Sequence, residues 1–129
     1  DPPPSPRPGP AANAPRLLYS FNELGENFVV INFNIEYENT LYQNYPNPFS
    51  TETTVRLDLS RKQHCELAVF NILGIKVATL DQGLIESGRH TYVWDGSDVN
   101  GKRLRSGTYL CVLRLPGDDL YVKKMILVQ

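Results

Sequence analysis

The sequence lacks the features that mark most functional classes. Its formal net charge is −1 over 129 residues, so it has no electrostatic footprint for the phosphate backbone of nucleic acid. No apolar run approaches the roughly 20 residues that a membrane-spanning helix needs. No window sustains an apolar period of 3.6, which argues against long amphipathic helices. Cysteines number two, Cys65 and Cys111, too few for a disulfide scaffold. No Asn-x-Ser/Thr sequon is present. No Ser or Cys stands in a recognisable nucleophile setting, and no glycine-rich phosphate loop precedes a helix. His64 and His90 have no acidic or Cys partner at ligand spacing and read as surface residues. These absences describe a protein without catalytic chemistry or a cofactor. The chain begins at Asp1 without Met or an apolar leader, which reads as a removed signal peptide or a fragment.

Proline, by contrast, is abundant and unevenly placed. Pro2, Pro3, Pro4, Pro6, Pro8, Pro10 and Pro15 crowd residues 1–15, a composition that prefers an extended polyproline II tail of roughly 3.1 Å per residue. Residues 16–41 follow as an arm. Leu17, Leu18, Tyr19 and Phe21 form a short strand ending near Gly25. Residues 28–37 then alternate, with Val29, Ile31, Phe33, Ile35 and Tyr37 on one side and Asn32, Asn34 and Glu36 on the other. Five apolar residues at period two predict a long half-buried strand. Unpaired it would be an aggregation hazard, so it must join a sheet, its own or a neighbour's.

The two prolines of Asn44-Tyr45-Pro46-Asn47-Pro48-Phe49 interrupt any ladder or helix. Tyr45 and Phe49 flank them as apolar anchors. From Thr53 onward short alternating stretches recur every 8–12 residues. Turn signals separate them at Asn71–Gly74, Gly83, Ser87-Gly88, Asp95-Gly96, Asn100-Gly101 and Pro116–Asp119. That rhythm predicts an all-β antiparallel sandwich of about seven strands over residues 42–129. Leu67, Val69, Val77, Trp94, Tyr109, Leu113 and Met125 are its expected core.

The ordered blocks of residues 42–129 carry a resemblance. They are Asn44–Phe49, Val69-Phe70-Asn71-Ile72-Leu73-Gly74-Ile75-Lys76-Val77-Ala78-Thr79-Leu80, Gly88-Arg89-His90, Trp94-Asp95-Gly96, Asp98, Asn100-Gly101, Ser106-Gly107-Thr108-Tyr109 and Lys123-Lys124-Met125-Ile126-Leu127. In that order and spacing they resemble the C-terminal sorting domains of type IX secretion and the similar Ig-like domain of flagellar hook-capping proteins. The resemblance implies an Ig-like sandwich and export across a bacterial outer membrane to the cell surface or beyond. It also implies a sorting signal in the last two strands, with Lys123, Lys124, Met125 and Leu127 as the motif and secretion machinery as a partner. Lys123-Lys124 also reads as protection of an edge strand.

Other constellations read blandly. Asp95, Ser97, Asp98 and Asn100 supply oxygens but lack the spacing and terminal Glu of a Ca²⁺ loop, so they read as a hydrogen-bonded turn rather than a metal site. Trp94 could stack on a sugar or plug a core. Cys65 and Cys111, in separate strands, could bridge within roughly 7 Å or remain buried thiols.

Two readings of function follow. In the first, the chain is a non-catalytic extracellular structural subunit that assembles head-to-tail with other copies. It donates the strand of Val29, Ile31, Phe33, Ile35 and Tyr37 to the next sandwich. In the alternative it is a secretion-sorting or surface-anchoring module of a larger secreted protein. Carbohydrate binding is a weaker third.

Overall fold

The computed structural model describes residues 15–21, 24–25, 27–33 and 36–129. Apart from Pro15, the proline tail expected over residues 1–15 lies outside them. The chain divides into two compact units between Glu36 and Tyr37.

The first unit contains a hairpin. β1 (Pro15–Phe21) pairs antiparallel with β2 (Asn27–Phe33) in a register that sets Leu17 opposite Ile31 and Tyr19 opposite Val29. The strand expected over residues 28–37 is therefore shorter, and it pairs within its own chain. Its described pairing with β1 runs over Asn27–Phe33, and Glu36 and Tyr37 lie outside any strand. Ile35 lies outside the described residues. Tyr37 is half-buried in the second unit, not in the strand.

The second unit is a two-sheet sandwich. One sheet has the order β3-β4-β7, with β3 (Thr40–Leu41), β4 (Thr53–Leu59) and β7 (Gly88–Trp94). The other has the order β6-β5-β8-β9, with β5 (Gln63–Asn71), β6 (Lys76–Ile85), β8 (Gly107–Leu115) and β9 (Asp119–Leu127). Every named pair is antiparallel. The seventh strand of the sandwich is β3, which lies before residue 42.

Alternation builds the core as expected. Thr53, Val55, Leu57 and Leu59 are buried while Thr54 and Arg56 are exposed. They meet Leu67, Val69, Cys111, Leu113, Met125 and Leu127 of the facing sheet. Val77 is the exception, only half-buried. Register shifts between β5 and β6 leave it without an opposite partner, and the bulge takes it out of the inward row. Gly83 also differs from its reading as punctuation. It sits inside β6, opposite Cys65, with φ of +110°.

Aromatic residues close one end of the core. Trp94 packs against Phe49 and Tyr109 with ring centroids 5.5 and 5.8 Å away, each such pair worth about 0.5–1.5 kcal/mol beyond area burial. The buried indole donates to Ser97 O at 3.0 Å. Tyr109 Oη donates back to Arg105 O at 2.7 Å, the corner that ties a sandwich strand to the turn before it. Between the sheets, Tyr92 Oη donates to Asp81 Oδ2 at 2.6 Å.

Candidate functional site

The proline segment is the point where the two sheets meet. At one end Tyr45 bridges antiparallel to Thr54 of β4, with both backbone bonds made at 2.9–3.0 Å. At the other end Phe49 bridges parallel to Leu127 of β9. Phe49 N donates to Ile126 O and Val128 N to Phe49 O, both at 2.9 Å. The Tyr45-Pro46 and Asn47-Pro48 peptide bonds are cis.

Side chains fasten the segment along its length. Asn47 Oδ1 accepts from Ile126 N at 2.8 Å, and Gln43 Nε2 donates to Lys124 O at 2.7 Å. Buried Asn44 donates to Thr53 Oγ1 at 2.9 Å, and that hydroxyl donates to Pro46 O at 2.7 Å. A chain that cannot supply its own ladder donors at two prolines thus borrows asparagine and threonine side chains instead.

The motif residues near the C-terminus divide between two roles. Met125 and Leu127 are buried in the core. Lys123 is half-buried and lies opposite Cys111, whereas Lys124 is exposed and lies opposite Leu110. Alternation sends the two lysines to opposite faces of the sheet, so they do not form one contiguous patch.

The expected core plug is realised in Trp94, which is 3% exposed. A ring so enclosed offers no platform for a sugar. Asp95 Oδ1 accepts from Ser97 N at 3.0 Å and from Ser97 Oγ. Asp98 Oδ1 accepts from Asn100 N and Lys102 N at 2.9 and 3.0 Å. Both carboxylates organise their own turns.

The bridge considered between Cys65 and Cys111 is not formed, and both thiols are free and buried. The reason is register. Both lie in the same sheet, and Cys111 stands opposite Val69, about 13 Å along the strand from Cys65 at roughly 3.3 Å per residue. Burial pushes the Cys111 thiol up to about 12, and burial followed by the Asp81 charge raises that of Cys65. Both therefore pack as small apolar groups. Beside Cys65 a shallow cleft of about 620 Å³ opens between His64, Gln82, Gly83 and Arg114. His64 is exposed, and His90 Nε2 lies 2.7 Å from Glu86 O.

One polar cluster escaped the sequence reading. On the outer side of the three-stranded sheet Asp58 is 4% exposed. Its carboxylate accepts from Arg89 Nε and Nη2 at 2.9 and 3.0 Å and from Tyr42 Oη at 2.5 Å. The guanidinium carbons of Arg56 and Arg89 stand 5.3 and 5.5 Å from the centre of the Tyr42 ring. The bond from Arg89 and then that from Tyr42 hold the Asp58 carboxyl below its ordinary value, against the cost of burial. A depressed folded-state value gives stability that is present above the unfolded value of about 3.9 and is lost as pH falls through the folded one. We therefore expect Arg89→Met to lower the denaturant midpoint at neutral pH, with the gap to the parent protein closing in strong acid. A gap independent of pH, measured by urea melts from pH 7 to pH 2, would show that the pair carries no linkage.

Two antiparallel sheets, a tyrosine corner and a buried Trp define an Ig-like β-sandwich. The chain belongs to the FlgD Ig-like domain family, whose model matches residues 47–114. No curated protein matches the chain. Among solved structures it is similar to PorZ, described as an essential bacterial surface component of the type IX secretion system of Porphyromonas gingivalis. That match has 19% identity and a TM-score of 0.47, and covers 69% of this chain and 11% of PorZ. It is also similar to dimeric latent PorU of the same organism, at 17% identity with a TM-score of 0.50, over 87% of this chain and 12% of PorU. At such identity the PorU likeness shows the fold. The chain spans about a tenth of either relative, at 11% and 12% of their lengths.

Proposed function

We propose that the sandwich is a non-catalytic sorting and surface-anchoring module of a protein exported by type IX secretion, acting at or beyond the bacterial outer membrane. The observation that carries this reading is the junction of the proline segment with β9. The two blocks lie 79 residues apart between Asn47 and Ile126, yet they fold as one fastened unit. A C-terminal strand held in this way presents a fixed shape to the outer-membrane machinery that would receive it. Family membership and the presence of PorZ and PorU among the structural relatives support the same assignment.

The test is export of a reporter fused ahead of residues 37–129 in a bacterium with a working type IX system. The fusion should reach the cell surface. Deleting residues 119–129 should retain it inside the cell. Asn47→Ala leaves Ile126 N unsatisfied at a part-buried position, a loss of about 1–3 kcal/mol, and should lower the surface fraction. Undiminished surface display of the deletion would overturn the assignment.

A second reading is favoured by the hairpin. β1 and β2 form a sheet of two strands, fewer than a sheet needs to be stable alone in water. Residues in this unit would gain by adding to another copy, making the chain an assembling structural subunit. Light scattering on the full chain and on residues 37–129 separates the readings, because only the full chain should associate.

A further inference from the structure

We propose that the turn between β5 and β6 is a membrane-docking tip, which inserts aliphatic side chains into an anionic lipid surface. The inference rests on the surface-anchoring reading and names the surface that the module grips.

The turn carries side chains that its geometry does not require. Asn71 and Gly74 build it. Gly74 N donates to Asn71 O and Asn71 N to Ile75 O, at 3.0 and 2.9 Å. Asn71 Oδ1 accepts from Leu73 N and Ile75 N at 2.9 and 3.0 Å. Gly74 takes φ of +83°. Central turn positions ordinarily hold small or polar residues, yet here they hold Ile72 and Leu73, which are 72% and 79% exposed. Ile75 and Val99 are 57% and 73% exposed. Val99 N donates to Val77 O at 3.1 Å, which holds its loop against the start of β6. Single exposed aliphatic residues are ordinary. Four large ones at one end of a sandwich mark an interaction surface.

Cations stand at the base of the tip. Asn71 is paired with Tyr109 of β8, so the turn lies at the end where the loop of residues 95–106 enters that strand. A cleft of about 280 Å³ between turn and loop is lined by Asn71, Lys102, Arg103 and Arg105 among others. Those three cations are exposed and make no ion pair among the described residues. Lys76 is paired with Glu66. Asp95 and Asp98 turn a carboxylate oxygen to the amides of their own loops. Residues 71–76 and 95–106 hold four cations and two aspartates, 4 − 2 = +2, whereas the other residues sum to −1 − 2 = −3.

Shape and charge select a lipid surface over a protein partner. A stable protein interface covers about 800 Å² on each side, far more than two side chains at the apex of a hairpin offer. A bilayer takes a narrow apolar element that reaches roughly 5–10 Å into the headgroup boundary. With Ile72 and Leu73 at that depth, the cations behind them meet the lipid phosphates, and each Lys or Arg near an anionic surface adds to the attraction. The turn is already fixed by its four hydrogen bonds, so insertion orders little that was free before.

The test is flotation of the full chain with vesicles of phosphatidylglycerol and, separately, of phosphatidylcholine. The parent should bind the anionic vesicles more tightly, and added salt should narrow the difference. Leu73→Asp and Ile72→Ser should each weaken binding to both vesicle types, the first about tenfold. Both positions are exposed turn sites, and an unchanged denaturant midpoint confirms that the sandwich stays folded. Lys102→Glu combined with Arg105→Glu should weaken binding to the phosphatidylglycerol vesicles alone. Leu84→Asp, at an exposed aliphatic residue of β6 opposite His64, should bind as the parent does. Parent-like binding by both tip variants would overturn the inference. So would self-association of the parent without lipid that Leu73→Asp abolishes, since the tip would then be a protein contact. A parent that binds neither vesicle type would overturn the inference too, and normal surface display of the reporter fusion would leave the sorting and anchoring assignment standing.

Discussion

Leu67→Ala is expected to lower the unfolding free energy by about 2–5 kcal/mol. Leu67 lies in β5 and is fully buried, with Leu57, Val69, Leu113 and Met125 in the same apolar cluster. The range reflects how far the site collapses once the side chain is gone. Collapse is limited here because β5 is an interior strand, hydrogen-bonded to β6 on one side and β8 on the other. Urea melts of parent and variant measure the difference directly. A loss below about 1 kcal/mol would contradict the interior position, since even an Ile→Val change in a core costs about 0.5–1.5 kcal/mol.

Gly96→Ala should be the next most damaging single change, although it adds only one methyl group. Gly96 has φ of +79°, a conformation that costs a non-glycine residue about 1–3 kcal/mol. A Cβ there would also stand 3.3 Å from both terminal methyls of Leu127 and 3.6 Å from the Phe49 ring. Those two residues are 1% and 2% exposed and meet in the bridge between the proline segment and β9, so neither has room to yield and overpacking adds to the backbone cost. The same substitution at Gly101, where φ is +80° and nothing lies within 4 Å of the Cβ position, isolates the backbone contribution. We expect Gly96→Ala to unfold at lower denaturant than Gly101→Ala. Equal midpoints would show that the aromatic end of the core is looser than its distances imply.

Local pattern made much of this molecule legible, and long-range register hid the rest. β4 reads directly from Thr53, Val55, Leu57 and Leu59, because its inward row is apolar and Thr54 and Arg56 mark the outward row. The same rule places Asp58 in the outward row and is silent on its burial and its partners. Its partners Tyr42 and Arg89 are 16 and 31 residues away, and only the pairing of β3, β4 and β7 brings them together. The two-faced character of β8 did leave a signal. Tyr109-Leu110-Cys111-Val112-Leu113 is an unbroken apolar run, the signature of a strand covered on both sides. Gly83 misled for a local reason. Its residue type marks a break, yet pairing with Cys65 carries the strand through it. The proline segment was legible as a pinned interruption, while its attachment to β9 depended on asparagine side chains whose partners no spacing rule supplies.

The way the arm joins the sandwich sets how the molecule responds to a pull. Tension applied through residues before Tyr37 reaches β3 first, which holds β4 through the pairs at Thr40 and Leu41 and through Tyr42, whose N–H donates to Arg56 O and whose hydroxyl donates to Asp58. That short zipper is loaded before any longer strand pair. The force then arrives at Asn44–Phe49, which is bonded to Thr54 in one sheet and to Ile126 and Val128 in the other, so that both sheets share it. The join therefore takes up load before the body of the sandwich does.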